Sequence, residues 1–495
     1  MLTLRPYQQS LIDDIRDQIK AGKKRILVVC PTGGGKTVVS GFIAHNTVRR
    51  GGRAFFNVHR DFLLSQTSLT FQRLDIIHSF IASSISKKID DTVSTQLCSV
   101  NTLVKRLGAV TPPTVCIWDE THHIVAGSWK RIFDEFPNAI HIGVTATPQR
   151  LDGKGLGDTF EVMVLGPSVS ELMDLGNLSR YVAFSIPSEF RREDLHTLGG
   201  DFKLDEAEAA LDKPKLVGDL VEHYQKHAAG KRAVYFATSI KHSQHIAEAF
   251  NAKGIAAKHL DGTHSAEERR QAALDMADGR LLVLTNCALF GEGFDLGAQC
   301  GRDDLTIDAV GLARPTQSLS LFLQMVGRAL RPKADGSRAV ILDHVGNLRD
   351  HGFPDDDREW SLEGRKKKQK TTGPRVWDCP QCFAVNLASA RFCTECDYER
   401  PVTRDAAGRM IDAVDGTLVE MTREEQEEAV AFQSRQEREE KAKKKALWDA
   451  VRANDYTTFS RLAAAEGWSS IKIGKSWEFR RQKTLEEGNS YRRYA

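Results

Sequence analysis

Arg25-Ile26-Leu27-Val28-Val29-Cys30-Pro31-Thr32-Gly33-Gly34-Gly35-Lys36-Thr37 is the stretch that decides the fold. Its first six residues are a short apolar run rich in β-branched side chains, the signature of a buried strand. The glycines that follow let backbone N–H groups wrap a phosphate with no Cβ in the way. Lys36 supplies a positive charge for the β- and γ-phosphates, and the Thr37 hydroxyl is placed to ligate Mg²⁺. The helix-compatible run after it turns its positive end to the anion. Glycine-rich turns alone are common. The sequence Gly-Gly-Gly-Lys-Thr directly after a strand is specific, so Pro31, Thr32, Gly33, Gly34, Gly35, Lys36 and Thr37 form a candidate nucleotide site binding ATP and Mg²⁺.

The same texture continues on either side. Arg53–Val58, Val115–Trp118 and Ala139–Val144 are further short apolar runs alternating with helical patterns, and it returns in Ala233–Ala237, Leu281–Leu284, Thr306–Val310 and Ala339–Leu342. That reads as two α/β domains, each a parallel sheet covered by helices. We place them at residues 1–185 and 205–355, with a mixed segment at about 180–215 between them. The run Val115-Cys116-Ile117-Trp118 ends in Asp119-Glu120-Thr121-His122-His123. Two carboxylates at a strand end are commonly just a terminus. Beside a phosphate loop they supply what the loop lacks: Asp119 to hold Mg²⁺ through its water shell, Glu120 to orient or deprotonate an attacking water.

After residue 355 the texture changes. Pro354-Asp355-Asp356-Asp357 and a basic run, Arg365, Lys366, Lys367, Lys368, Lys370 and Arg375, read as a polar linker with phosphate contact as the alternative. Cys379-Pro-Gln-Cys382 and Cys393-Thr-Glu-Cys396 then form two CxxC turns at residues 375–400. Four thiolates in that pattern suit a closed, structural Zn²⁺ site, which would stabilise a module too small to fold on burial alone. Residues 420–495 read as a charged helix, with Glu437/Lys441 and Glu439/Lys443 spaced for ion pairing, followed by a small region. There Trp448, Trp468 and Trp477 are expected to form a core rather than to stack bases. The remaining cysteines are scattered, and those in apolar runs read as buried thiols.

At 495 residues the chain is long enough for about three domains. No run of about 18 apolar residues is present, and the first residues lack a basic-then-apolar leader pattern, so a cytoplasmic protein away from membranes is expected. The net charge of +3 says little about partners.

An ordered set of motifs resembles the superfamily 2 helicases. It comprises Arg5-Pro6-Tyr7-Gln8, the phosphate loop, Asp119-Glu120-Thr121-His122, Thr145-Ala146-Thr147-Pro148, Gly291-Glu292-Gly293-Phe294-Asp295 and Gln324-Met325-Val326-Gly327-Arg328-Ala329-Leu330-Arg331. The resemblance covers about residues 1–350 and implies two RecA-like domains in tandem. It implies roles as well: Gln8, with Arg5 nearby, for adenine; Thr145 and Thr147 for coupling hydrolysis to domain movement; Asp295 near the nucleotide and domain interface; Gln324, Arg328 and Arg331 for closing on the γ-phosphate. The spacing i, i+4, i+7 puts that last trio on one helical face. A closer resemblance, carried by Leu4–Gln9, Ala313-Arg314-Pro315-Thr316, Ile341–Asn347 and the four-cysteine knuckle, is to RadD-like bacterial or phage DNA-repair helicases.

These readings imply an ATP-dependent helicase or translocase on single-stranded or branched DNA, with a replication or repair protein as a further partner. The alternatives are a restriction-system motor, an RNA helicase and a non-hydrolysing adaptor. Helicase motifs from residue 4 leave no room for an N-terminal nuclease in this sequence, the DETH box points away from RNA helicases, and the intact Lys36, Asp119, Glu120, Gln324 and Arg328 argue against a dead motor.

Overall fold

The computed structural model describes residues 4–59, 61–86, 88–121, 126–150, 154–185, 195–198, 201–287, 297, 300–302, 305–364, 376–379, 381–387, 390–399, 413–414, 417–418, 450, 453–465 and 476–477. The first lobe is built on β1 (Arg25–Val29), β2 (Ala54–Val58), β3 (Ser79–Ile81), β4 (Thr95–Ser99), β5 (Val115–Asp119), β6 (Ile140–Thr145) and β7 (Val162–Leu165). They form one sheet in the order β3-β4-β2-β5-β6-β1-β7, parallel throughout. Successive side chains of a strand face opposite sides. Accordingly Ile26 and Val28 enter one core with Leu11, Phe56 and Ile142, while Leu27 and Val29 enter another with Phe55, Cys116 and Trp118.

The second lobe is a six-stranded parallel sheet. Its strands are β8 (Tyr181–Ser185), β11 (Ala233–Phe236), β12 (Ala257–Leu260), β13 (Val283–Asn286), β14 (Ala309–Leu312) and β15 (Ala339–Asp343), in the order β12-β13-β11-β14-β15-β8. A hairpin, β9 (Thr197–Leu198) with β10 (Asp201–Phe202), lies between β8 and β11 in the chain. Two RecA-like parallel-sheet domains in tandem are therefore present. The chain crosses between them earlier than the sequence boundary at residue 185, because Tyr181–Ser185 pairs with β15 of the second sheet.

Pro354–Asp357 is not a loose linker. The Arg358 guanidinium donates to the carbonyls of His351, Phe353, Pro354 and Asp356, and the Tyr181 hydroxyl donates to Asp355. Beyond it Trp360 and Leu362 pack on the first lobe, where Gly157 N donates to Leu362 O at 2.8 Å and Lys154 bridges to Gly364. The basic run 365–375 lies outside the described residues.

Next come β16 (Val376–Asp378) and β17 (Val385–Leu387), an antiparallel pair that carries the first CxxC turn. Trp377, Cys379, Ala384 and Cys393 share a core with Phe184, Val217 and Tyr224 of the second lobe. Ser185 N donates to Phe383 O at 3.1 Å, and Arg338 makes a two-pronged pair with Glu395. The knuckle is thus part of the second lobe's packing.

Residues 400–495 are a separate unit. In it the helix Tyr456–Ala465 buries Phe459 and Ala463 against Trp477, as expected for Trp477. Trp448, Trp468 and the Glu/Lys pairs lie outside the described residues.

Candidate nucleotide site and metal centre

The phosphate loop joins the end of β1 to the helix Lys36–Arg49. Gly33 and Gly35 take φ of +84° and +79°, a region that favours glycine. Gly34 has no room for a side chain, since a Cβ there would sit 2.5 Å from Cys30 Sγ. Gln8 and Tyr7 lie on the loop. A Cβ on Gly35 would run into the Gln8 amide, and the Tyr7 hydroxyl donates to Gly34 O at 3.0 Å. Gln8 Oε1 accepts from Arg5 N at 3.0 Å. Its burial at 4% exposure leaves it braced against the loop. Tyr7 is a loop contact that the sequence reading did not assign.

Asp119 ends β5, and Glu120 follows with φ of +47°, a left-handed conformation for a non-glycine residue. Such backbone costs about 1–3 kcal/mol and is held only where the surroundings enforce it. Glu120 N donates to Asp119 Oδ1 at 3.1 Å, and Glu120 Oε1 lies 3.5 Å from Lys36 Nζ, both side chains nearly buried. The platform beneath is aromatic. Trp118 stacks on Trp129 and Phe133 at 4.6 and 4.9 Å and donates to His141 Nδ1 at 3.2 Å. His141 Nε2 therefore carries the proton and donates to Phe136 O at 3.1 Å. Burial pulls the His141 pKa down to about 4, so the ring stays neutral.

Thr145 and Thr147 form a tight turn, with Thr145 Oγ1 donating to Thr147 O at 2.8 Å and accepting from Thr147 N at 3.2 Å. The buried hydroxyls of Thr32, Thr121 and Thr147 have no hydrogen-bond partner among the described residues. Buried polar atoms are rarely left so. Together with Lys36, Thr37 and the carboxylates they fit a polyphosphate with its hydrated Mg²⁺.

Gln324 is buried on the helix Leu319–Gly327 of the second lobe, which Ser318 caps by accepting from Leu321 N. That helix ends at Gly327. Arg328 is its C-cap, and Arg331 lies past its end, so the trio does not share one helical face as the spacing implied. Arg328 N and Ala329 N bond to carbonyls three residues back, tightening the turn. Pro332 disfavours helical backbone at Arg331. The helix end meets the first lobe: a Cβ on Gly327 would sit 2.8 Å from both Cβ and Cγ2 of Thr32. Asp295, with the rest of Gly291–Asp295, and His122 and His123 lie outside the described residues.

The Sγ atoms of Cys379, Cys382, Cys393 and Cys396 lie within 4.8 Å of one another. Burial opposes ionisation of Cys393, but N–H donors from Glu395 and the Asn386 amide hold its thiol down to about 7. Four converging thiols fit a tetrahedral Zn²⁺. Elsewhere burial pushes the Cys30 thiol up to about 11, and Cys98 and Cys116 also upward, as expected of inert core cysteines. No helix among the described residues is long and apolar enough to cross a membrane.

Residues 1–150 match the family model described as the type III restriction enzyme res subunit, and residues 212–333 match the helicase conserved C-terminal domain. A 51.5 kDa protein of a Lactococcus phage is 34% identical over 376 residues, 75% of this chain and 78% of that one. The helicase-named IRC3 protein of Saccharomyces cerevisiae is 28% identical over 363 residues, 69% of this chain but only 51% of its own length. Among solved structures, a fragment assigned as the HsdR subunit of a type I restriction enzyme from Vibrio vulnificus superposes with a TM-score of 0.54 at 21% identity, covering 71% of this chain and 66% of that one, a likeness of fold. With both halves of the motor matched in order around one phosphate loop, the chain belongs to the superfamily 2 helicases and is an ATP-hydrolysing enzyme of that type.

Proposed function

We propose that this chain is a DNA motor that hydrolyses ATP to translocate on or unwind branched or damaged DNA during repair or recombination. The observation that carries the reading is the contact of Gly327 with Thr32, which sets the arginine turn of one lobe against the phosphate loop of the other. In this reading the motor comprises a first lobe that ends before Tyr181 and a second lobe that takes in β8 and runs to about residue 355, followed by a zinc knuckle at 375–400 and a helical region at 420–495. Arg5 and Gln8 hold the base, and Pro31 to Thr37 hold the phosphates, with Lys36 exchanging its partner Glu120 for a phosphate oxygen. Thr37 and Asp119 are the residues that would hold Mg²⁺, whose charge favours the loaded phosphates. Glu120, once released from Lys36, orients and deprotonates the water. Gln324, Arg328, Arg331 and Asp295 complete the site from the second lobe, and arginine fingers of this kind contribute roughly 10³–10⁵ in rate in GTPases. Because ATP is fully contacted only when both lobes meet, its binding favours closure and its hydrolysis releases it.

The RadD-like motif pattern in the sequence supports the repair assignment. The match to the restriction-enzyme res model favours a second reading, a restriction-type motor. The deciding experiment measures ATP hydrolysis with no polymer, single-stranded DNA, long duplex, forked DNA and RNA, with Glu120→Gln as blank. Strongest stimulation by forked or single-stranded DNA is expected. Stimulation by long duplex alone favours the restriction-type motor, and stimulation by RNA alone overturns the DNA reading.

A further inference from the structure

The chain does not leave the first lobe freely. After β7, Gly166 N donates to Val29 O at 2.7 Å, at the foot of the phosphate loop. The helix Val169–Asp174 follows, started by a capping box in which Ser168 and Glu171 satisfy each other's backbone N–H groups. Leu172, Met173 and Leu178 then bury themselves in the second lobe's core with Phe322, Met325 and Leu330. Leu172 and Leu178 also roof the phosphate loop. A Cβ on Gly33 would sit 2.7 Å from Leu178 Cδ2, and one on Gly34 would sit 3.5 Å from Leu172 Cδ1.

The next residue turns to the arginines. Ser179 N donates to Leu330 O at 2.7 Å, and Ser179 Oγ donates to Arg331 O at 2.9 Å. From the other side Lys333 Nζ donates to Ala329 O at 2.7 Å and to Arg331 O at 3.3 Å. Past the helix end the carbonyls of this turn make no intrahelical bonds, and backbone carbonyls removed from water need partners. Here the carbonyls of Ala329, Leu330 and Arg331 are each taken by Ser179, by Lys333 or by both. Lys333 is only 9% exposed, an unusual place for an ammonium group. Burial draws its pKa down to about 8, with Asp308 and Asp335 opposing and Lys231 and Arg232 adding to the fall.

We infer that Ser179 and Lys333 are positioning residues that fix the Arg328–Arg331 turn, and that the Leu178-Ser179 step registers this turn directly against the phosphate loop. The inference rests on the proposed roles of Arg328 and Arg331. Ser179 Oγ and Lys333 Nζ both bond backbone carbonyls of the turn. They act by setting where the arginine backbone lies, so their loss lowers turnover more than ATP binding.

The test uses the full chain at saturating poly(dT), measuring kcat and KM for ATP in Ser179→Ala, Ser179→Thr, Lys333→Met and Arg328→Ala, with melting temperatures alongside. Removing one hydrogen bond from the turn is expected to lower kcat about five- to tenfold in Ser179→Ala. KM should change less than threefold, the melting temperature should hold, and Ser179→Thr should recover most of the rate. Lys333→Met, which opens the Ala329 carbonyl and takes one of two donors from Arg331 O, should lose more. If Lys333→Met fails to fold, Ser179→Ala and Ser179→Thr carry the test alone. Unchanged kcat in Ser179→Ala, with Arg328→Ala inactive, overturns the inference and leaves the motor reading standing. A rate lost in Ser179→Ala and not recovered in Ser179→Thr overturns it too. Full activity in Arg328→Ala overturns the arginine assignment beneath it.

Discussion

Gly327→Ala separates catalysis from stability. The added Cβ would sit 2.8 Å from the Cβ and Cγ2 of Thr32. Ordinary carbon–carbon contacts are about 3.5–4.0 Å, so the two must part by about 1 Å. Rotating Thr32 does not relieve the clash, because its Cβ is itself in the way. The first lobe cannot readily retreat, since Gly33 and Gly34 are roofed by Leu178 and Leu172. The arginine turn therefore backs away from the phosphate loop by about that distance. A misplacement of about 1 Å in a reacting constellation costs on the order of 10²-fold in rate. Stability should change far less than the rate, because the preference of alanine over glycine for helical backbone, at most about 1 kcal/mol, offsets part of the cost of parting the contact. The assay is DNA-stimulated hydrolysis beside thermal unfolding: kcat should fall on the order of 10²-fold while the chain still unfolds in one transition near the parent's melting temperature. A kcat within threefold of the parent would refute the claim that hydrolysis needs this approach.

Glu120→Gln should lower kcat by about 10²–10⁴-fold, the usual contribution of a general base, while a fluorescent ATP analogue still binds; retained turnover would move the base elsewhere. Elemental analysis should find one zinc per chain, and none in Cys379→Ser/Cys396→Ser. Because the knuckle shares the second lobe's core, a chelator that strips the metal should also lower the melting temperature, and an unaffected melt would mean the knuckle folds apart from the lobe. Stability should fall as pH drops from about 6.5 towards about 4. His141 is held neutral when folded, with its pKa pulled down to about 4, so the unfolded chain binds the extra proton in that window, at a cost of up to about 3 kcal/mol. Unfolding curves that superpose across the window would contradict the neutral, Trp118-bonded ring.

Much of the motor was legible because its strands are buried on both faces and so read as continuous apolar runs. Some strands absent from that reading do not. β4 is Thr95-Gln96-Leu97-Cys98-Ser99, and all five residues are buried. Gln96 turns inward because its Nε2 donates to the carbonyls of Asp90 and Val93 in the preceding turn. β8 was hidden differently: Tyr181–Ser185 reads as a strand of either lobe, and only pairing with β15 decides. At the site, phosphate loop and carboxylates stand in sequence because their chemistry is local. The contacts of Tyr7, Leu178, Ser179 and Gly327 are invisible there, since each depends on a partner more than twenty residues away. The trio of Gln324, Arg328 and Arg331 shows the converse, where periodic spacing outruns a helix that Pro332 helps to stop.

The return of Trp360 and Leu362 to the first lobe means that the second lobe is hung at two places, at Gly166–Ser179 and at Phe353–Gly364. A body pinned at two points keeps one easy rotation, about the line through the pins, and loses free translation. The motor is then built like a door rather than a pair of beads on a string. Its swing is registered before any nucleotide arrives, a single backbone nick in one pin would not set the leaf loose, and the rim that opens farthest lies away from both pins.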